Sequence, residues 1–522
     1  MSALSSSPAG SSGNTVTIAR NTVWYTFDVV ASLVTAFATS IVIARAIGPQ
    51  KLGYFNYIAW LASISASIGG LGVPVTTRKY MAEYFGRGEP GVCRAIFERT
   101  FRLQVLAAGA ITAVGLLLVF TVSDRSYWGS SIFQVASILP AMLTSVPAAA
   151  NLARENMRAN VPSGLVSSIV YISFVAMSLI FGWGLPGIAL GFLVGRTSEV
   201  AMRLFSVRKW IHALPKTALP AFLAERMRTF SGLSTVLMLL QVVVWDRSDI
   251  VLLKLFSGSI QEITFYSVAF NLTEKVLLLP ATFGRAIGIT VMAQFGRDQN
   301  ALNSLVAKAA RYTFLCGLPA LLGLALLSGP LVRTLYGLQY LPVIPVLFWA
   351  AALAIPKTML LPAQQLLQAT EQQRFLVIWG CLCGAVNIGL DVLLIPAHGA
   401  LGAAIGNGVG QALGVAGIWS RAAALYGIEL PWRALLRIAA CGCGMAAAVY
   451  ALTLISRGWF ALVVSTLCGC AAFGILLRVF KILTVEDLGR IRRISSKAPR
   501  PLQLCAQRIV VALSPAGEAN WG

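Results

Sequence analysis

Charge is what this sequence has least of. Only 11% of its residues are Asp, Glu, Lys or Arg, against roughly 25% in soluble domains. A chain of 522 residues that is 57% hydrophobic, with mean hydropathy +0.76, cannot hide that much apolar surface inside itself. A water-soluble globular fold is therefore excluded, and the solvent is lipid. Histidine is rarer still. His212 and His398 are the only two, which leaves little material for a His-based catalytic site. Cysteine occurs nine times, with pairs at Cys381/Cys383, Cys441/Cys443 and Cys468/Cys470. On a helix, positions i and i+2 point about 200° apart, so none of these pairs can grip one metal ion, and they read as small packing residues. No polar loop is large enough to hold a catalytic domain, which disfavours a membrane glycosyltransferase or polymerase. No cleavable leader is evident, and residues 1–19, rich in Ser and Gly, are expected to form a disordered tail.

What is present in quantity is apolar runs of about 20 residues, each long enough to cross the hydrocarbon core. They are too long, and alternate too little, for a transmembrane β-barrel. The expected fold is an all-α polytopic membrane protein of about 14 transmembrane helices. The spans fall near 21–44, 54–77, 103–122, 131–151, 162–182, 186–202, 230–255, 264–292, 312–332, 341–368, 375–396, 400–420, 435–456 and 458–478. With both termini in the cytoplasm, Arg45, Lys51, Arg125, Arg333 and Arg457 are the cations on outer loops or helix ends. Most others gather on the inner side, chiefly in the loop 78–102 and the segment 203–228. The net charge of +22 thus follows the positive-inside rule and suits anionic lipid headgroups rather than nucleic acid.

A glycine ladder is written twice. GLPGIALGFLVG (184–195) places glycines at 184, 187, 191 and 195, and GALGAAIGNGVG (399–410) repeats the spacing 215 residues later. Three further echoes keep nearly that offset: SIVIAR (40–45) with DIVLLK (249–254), YFNYIA (54–59) with YSVA (266–269), and MAEYFGR (81–87) with MAQFGR (292–297). Helices 1–6 and 7–12 therefore read as two parallel six-helix repeats, followed by two C-terminal helices. The expected organisation is an N-lobe at 20–210, a cytoplasmic linker at 211–229, a C-lobe at 230–425, helices 13 and 14 at 434–480 and a basic cytoplasmic tail at 481–522. Glycines four apart let a neighbouring backbone approach. Paired bundles of this kind commonly place a transport cavity at the repeat interface.

Ionisable side chains in lipid are costly and each is a functional candidate. Helix 7 offers Asp246, Arg247, Asp249 and Lys254, helix 8 offers Glu274, Lys275 and Arg285, and helix 10 offers Lys357 after Pro356. Helix 1 contributes Asp28 and, at its outer end, Arg45, and helix 11 contributes Asp391. The cations Arg247, Lys275, Arg285, Lys357, Arg45 and Lys254 suit an anionic headgroup such as a phosphate. The acids Asp249, Asp246, Glu274, Asp28 and Asp391 are candidates to carry protons or Na⁺, or to neutralise the cations. Internal ion pairs that only orient helices, such as Asp246–Arg247 and Glu274–Lys275, are the competing account, and Lys254 and Arg45 could only snorkel. No metal or cofactor site is expected. The aromatics Trp24, Tyr25, Trp60, Trp128, Trp349 and Trp432 read as interfacial anchors.

Four stretches, in order, resemble one family. ARAIGPQKLG (44–53) looks like the end of helix 1 in polysaccharide-unit flippases. RSDIVLL (247–253) with FYSVA (265–269) resembles their helix 7–8 signature. NIGLDVLLIPAHGALGAA (387–404) resembles their helix 11–12 turn, and LTVED (483–487) the close of their last helix. The chain is similar, over about 20–490, to the polysaccharide transport (Wzx-type) branch of the multidrug/oligosaccharidyl-lipid/polysaccharide (MOP) exporter superfamily. The resemblance implies two six-helix lobes forming a V-shaped cavity, with two extra helices. It implies translocation of a polyprenyl-pyrophosphate-linked oligosaccharide to the outer leaflet of the bacterial inner membrane, through a cationic lumen, with ion coupling in some members. It also implies, as partners, membrane lipids and the polysaccharide polymerase and chain-length proteins. The product would be exopolysaccharide, capsule or O-antigen. Lipid II flippases carry several arginines on helices 1 and 2. Here helix 1 has Asp28 before Arg45 and helix 2 no cation before Arg78, which argues against lipid II as substrate. An ion-coupled multidrug or small-molecule exporter of the same superfamily is the alternative, although cations rather than acids dominate here. The G-x-x-x-D-R-x-G-R-type loop of major-facilitator transporters is absent from 78–102.

Overall fold

The computed structural model describes the backbone of residues 11–483, 487 and 489, apart from 155, 246–247, 295–298, 371 and 456–457. Side chains are described from Thr35 onward, apart from those gaps, 236–237, 239–247, 285–301 and a few isolated positions. Among the described residues the backbone is helical almost throughout, and no strand occurs. Two compact units meet at the Arg247/Ser248 boundary.

In the first unit, α1 (Ser11–Gly69) carries the first two expected spans with one break between them. The break is Gly48, at φ 75° and ψ 169°, a region essentially reserved for glycine. Pro49 follows and restarts the helix with its fixed φ. The backbone is helical from Ser11, so the tail expected at 1–19 lies outside the described residues only up to position 10. The second span bends by 43° at residues 70–72 before α2 (Val73–Gly86). Then come α3 (Pro90–Val122), the short helices α4 (Trp128–Ala136), α5 (Ile138–Leu143) and α6 (Ser145–Ala153), and α7 (Val161–Ile180), α8 (Gly184–Ile211) and α9 (Ala221–Trp245). The stretch 78–102, expected as a loop, is helical apart from 87–89. Pro90 starts α3 at its first turn, and the ion pairs Arg87–Glu83 (2.5 Å) and Arg94–Glu98 (3.0 Å) support helix at i,i+4 spacing.

The second unit holds α10 (Asp249–Phe256), α11 (Ile260–Gln294), α12 (Gln299–Leu326), α13 (Ser328–Leu335), α14 (Val343–Leu353), α15 (Leu360–Ala369), α16 (Gln373–His398), α17 (Ala400–Tyr426), α18 (Trp432–Ile455) and α19 (Gly458–Val479). Its core joins Val415, Ile418 and Trp419 of α17 to Leu366 and Leu367 of α15 and to Leu302 and Val306 of α12. The two C-terminal helices, α18 and α19, pack through Ile438, Met445 and Phe473 on Phe314 and Leu318 of α12. Arg311 of α12 also binds Asp487 at 2.5 Å and the Ile482 carbonyl at 2.7 Å, so the chain beyond α19 begins against the unit.

Nine helices among the described residues are long and apolar enough to cross a membrane, and ten if the pair bent by 43° is one span. The other four expected spans, 21–44, 186–202, 230–255 and 264–292, fall on α1, α8, α9 with α10, and α11, with 246–247 outside the described residues and a turn at Ser248. Leu106, Leu117 and Leu393 are more than 70% exposed, as lipid-facing residues are. The chain is an all-helical, multi-pass membrane protein.

The glycine ladders have the same task in both units. Gly184 and Gly399 sit at the turns, with φ of 60° and 53°. The remaining glycines press on the helix before. A Cβ at Gly191 would lie 2.4 Å from Phe174 Cβ, and one at Gly195 would lie 2.9 Å from the Ser167 carbonyl oxygen. In the second unit a Cβ at Gly402 would meet the Leu394 backbone at 2.6 Å, and one at Gly406 would meet Asp391 Oδ1 at 2.4 Å. The ladders thus hold α7 against α8 and α16 against α17 at backbone contact. Only in the second unit does the facing helix carry an acid there.

Candidate functional site

Asp249 opens α10 and is fully buried. Three neighbours donate to its carboxylate: the Tyr266 hydroxyl from α11, Asn387 Nδ2 from α16 at 2.9 Å and Asn407 Nδ2 from α17 at 3.1 Å. Gln411, one turn beyond Asn407, donates to Asn407 Oδ1 at 2.7 Å. Asp391, one turn beyond Asn387 on α16, is also fully buried. Its carboxyl neighbours that of Asp249, and neither of its oxygens has a hydrogen-bond partner among the described residues. Asn387 Oδ1 is likewise left without one. Two adjacent carboxyl groups out of contact with water need a positive charge between them, either a proton or a small cation. The shell suits both. Turning the Asn387 or Asn407 carboxamide over replaces a donor with a carbonyl oxygen, and the two assignments differ only in the hydrogen-bond network.

A cavity of about 20 Å³ lies beside this cluster, lined by Tyr266, Asn407, Gln411 and Glu274 among others. That is room for about one water molecule. Glu274 in turn accepts from Lys357 Nζ at 2.6 Å, with side-chain exposures of 39% and 20%. Lys357 sits in the short 3₁₀ turn Pro356–Met359, which turns its ammonium toward α11. Lys275, the partner of Glu274 in the competing account, is half-buried. Lys254 and Arg45 are exposed. Asp246 and Arg247 lie outside the described residues, as do the side chains of Asp28 and Arg285.

The Lys357–Glu274 pair yields a test of structural against transport roles. Lys357→Met is expected to lower stability by about 1–3 kcal/mol, less than a fully buried pair because both groups reach solvent. Lys357→Met with Glu274→Gln should recover most of that loss in a thermal melt. If transport stays lost in the melt-recovered double variant, Lys357 acts on the cargo. If transport returns with stability, the pair only orients α11.

The first unit carries two charged constellations that the sequence reading passed over. Glu199 of α8, 5% exposed, is held by Arg196 at 3.0 Å and Arg203 at 2.6 Å, and Arg203 also donates to Ser163 Oγ at 2.9 Å. The spacing i, i+3, i+7 on one helix face was the available signal. Arg196 reaches a cavity of about 280 Å³ that Gln104 of α3 also lines. At the end of α2, Arg78, Lys79 and Arg154 surround a wider opening of about 740 Å³ with Phe85 and Phe230, and Lys79 Nζ lies 3.7 Å from the Phe230 ring centre.

Comparison with solved structures decides the fold. The lipid II flippase MurJ in an inward closed conformation superposes with a TM-score of 0.71 over 88% of this chain and 98% of that one, at 16% identity. The chain shares the fold of that structure. An inward-facing multidrug resistance MATE family transporter of the MOP superfamily matches with a TM-score of 0.65 over 76% of this chain and 96% of that one, at 14% identity. A MOP superfamily transporter from Pyrococcus furiosus, described by the reverse polarity of its binding pocket, matches at 0.53 over 78% and 94%, at 14% identity. A family model described as polysaccharide biosynthesis protein matches residues 130–345, which include the end of the first unit and the buried acid Asp249. No curated protein matches the chain. The MOP-fold neighbours named here are transporters and a flippase rather than enzymes.

Proposed function

We propose that this chain is a flippase that carries polyprenyl-pyrophosphate-linked oligosaccharide units from the cytoplasmic to the outer leaflet of the bacterial inner membrane, with both termini in the cytoplasm, for assembly of a surface or secreted polysaccharide. One observation carries the reading: a polysaccharide biosynthesis family model falls on a chain with the MOP fold. The task also matches the chemistry. A pyrophosphate bearing a glycan is doubly anionic and heavily hydrated, so hydrocarbon is a prohibitive path for it. A polar cavity opened alternately to each side removes that cost, while the lipid tail stays in the bilayer.

In this reading Arg247, Lys275, Arg285 and Lys357 meet the pyrophosphate, with Arg45 and Lys254 nearer the surface. Lys357 leaves Glu274 as the phosphate arrives. Glu274 shares a small cavity with Asn407 and Gln411, and Asn407 holds Asp249. The buried pair Asp249–Asp391 takes the coupling ion, H⁺ or Na⁺, and cargo and ion then compete through one polar chain. Asp246 and Asp28 serve charge compensation.

Deleting the gene and locating the cell's lipid-linked oligosaccharides tests the proposal. Complete units should accumulate on the cytoplasmic leaflet and polymer should be lost. Arg285→Ala and Lys357→Ala should fail to restore polymer at normal protein levels. Normal polymer without accumulated intermediates, in a strain with no second flippase gene, would transfer the reading to ion-coupled export of small molecules.

A further inference from the structure

Gln104 sits in the middle of α3 between side chains turned to lipid. Leu103, Val105 and Leu106 are exposed, while Gln104 is 1% exposed. Neither its Oε1 nor its Nε2 has a hydrogen-bond partner among the described residues, a costly state for a buried carboxamide. It lines the cavity of about 280 Å³ within the first unit, just under the range that drug-sized ligands occupy, about 300–1,000 Å³.

The rest of the wall supplies a pattern. Ser67 donates its proton to the Ser63 carbonyl, Ser137 to that of Gln134 and Ser145 to that of Met142, at 2.9, 2.6 and 2.6 Å. Each serine therefore spends its donor on its own helix and turns lone pairs outward. Gln104 offers one donor group and one acceptor. Arg196 gives one N–H to Glu199 and keeps others for a ligand. No acid is among the described lining residues, which disfavours a cationic guest. The one cation among them, Arg196, is already paired, which disfavours a phosphate. Between the polar groups lie alanines, Met142 and Phe192, apolar surface of the kind a ring's C–H face covers. The second span also breaks beside this cavity, with Gly70 and Pro74 in its wall and Leu71 at φ 49°, a strained value for a leucine. Irregular backbone at membrane depth is tolerated where it borders protein or a polar cavity.

We propose that this cavity is a monosaccharide subsite, in which Gln104 pairs through both carboxamide atoms with hydroxyls of one hexopyranose ring of the cargo glycan. The ligand class follows from the wall: closely spaced groups that both donate and accept, mounted on a ring with an apolar edge. The proposal rests on the glycan-flippase reading and sharpens it, because it gives the first unit the sugar and leaves the phosphate to the second.

The test uses the full chain in nanodiscs carrying Ser67→Cys, with labelling by a small methanethiosulfonate reagent followed by mass spectrometry of the peptide that holds position 67. Methyl glucoside, methyl galactoside and methyl mannoside are the probes, with tetraethylammonium and inorganic pyrophosphate as controls. At least one hexoside should slow labelling about threefold when present at about twice its dissociation constant, and Gln104→Leu should abolish that protection without changing the unprotected rate. Absence of protection by every hexoside, protection that survives Gln104→Leu, equal protection by the controls, or a Cys at 67 that never labels would each overturn the proposal. Accumulated lipid-linked glycan in the deletion strain without hexoside protection would defeat the subsite alone. Protection without such accumulation would defeat the flippase reading and leave a sugar site standing.

Discussion

Asp391→Asn is expected to fold normally and to lose ion-coupled transport by about 100-fold, the scale on which losing an ion's ligand shell acts. The substitution is nearly isosteric and removes no hydrogen bond, since neither Asp391 oxygen has a partner among the described residues. Its whole effect should therefore fall on the charge of the pair. Asp249→Asn is a different experiment. It strips the acceptor from Tyr266, Asn387 and Asn407, so it should cost stability as well as transport. Proteoliposomes measured across a range of external pH and of Na⁺ separate the candidate ions. A wild-type rate that follows Na⁺ at fixed pH assigns the site to Na⁺, and one that follows only pH assigns it to a proton. Asp391→Asn with wild-type flux and an unchanged dependence on both would remove the acid pair from the mechanism.

Gly406→Leu should be strongly destabilising. Even a Cβ there would stand 2.4 Å from Asp391 Oδ1, and the obstruction is a buried carboxyl whose only escape is further into its own cluster. Overpacking of this severity costs about 3 kcal/mol or more, and a drop of about 5–10 °C in melting temperature is expected. Gly389→Leu is the control. It lies on α16, the facing helix, and has open space around its missing Cβ. It should melt within about 2 °C of the parent, since surface changes away from packed features stay near ±0.5 kcal/mol. Equal melting of the two variants would mean that α16 and α17 can separate without cost, contrary to their contact.

The architecture was readable because lipid imposes it. An apolar run of helical length in a chain with so little charge has one structural outcome, and the ladder's spacing named its own contact face. Two of the three cysteine pairs follow the same geometry, with Cys383 and Cys441 buried while Cys381 and Cys443 are exposed; in the third, Cys468 and Cys470 are both exposed. The site was less readable, for a reason that lies in its chemistry. A search for charge in lipid finds Asp249, Asp391, Glu274 and Lys357, yet it passes over Tyr266, Asn387, Asn407 and Gln104, which are neutral and matter through position. Nor can local spacing supply the partner of Glu274, because Lys357 approaches from another helix pair. Arg196, Glu199 and Arg203 were legible by spacing, and were absorbed into the basic segment that follows them.

The helix α10 is eight residues long, and it meets its neighbours α16 and α17 through the side that carries Asp249, Ile250 and Leu253. The ladder locks α16 and α17 to one another, so those two travel as one piece and offer α10 a fixed wall. A short rod fastened to a rigid wall by one carboxylate is a ratchet pawl. On the flippase reading its seating follows the charge beneath it, and a single proton or cation arriving or leaving would reset the direction of the next step.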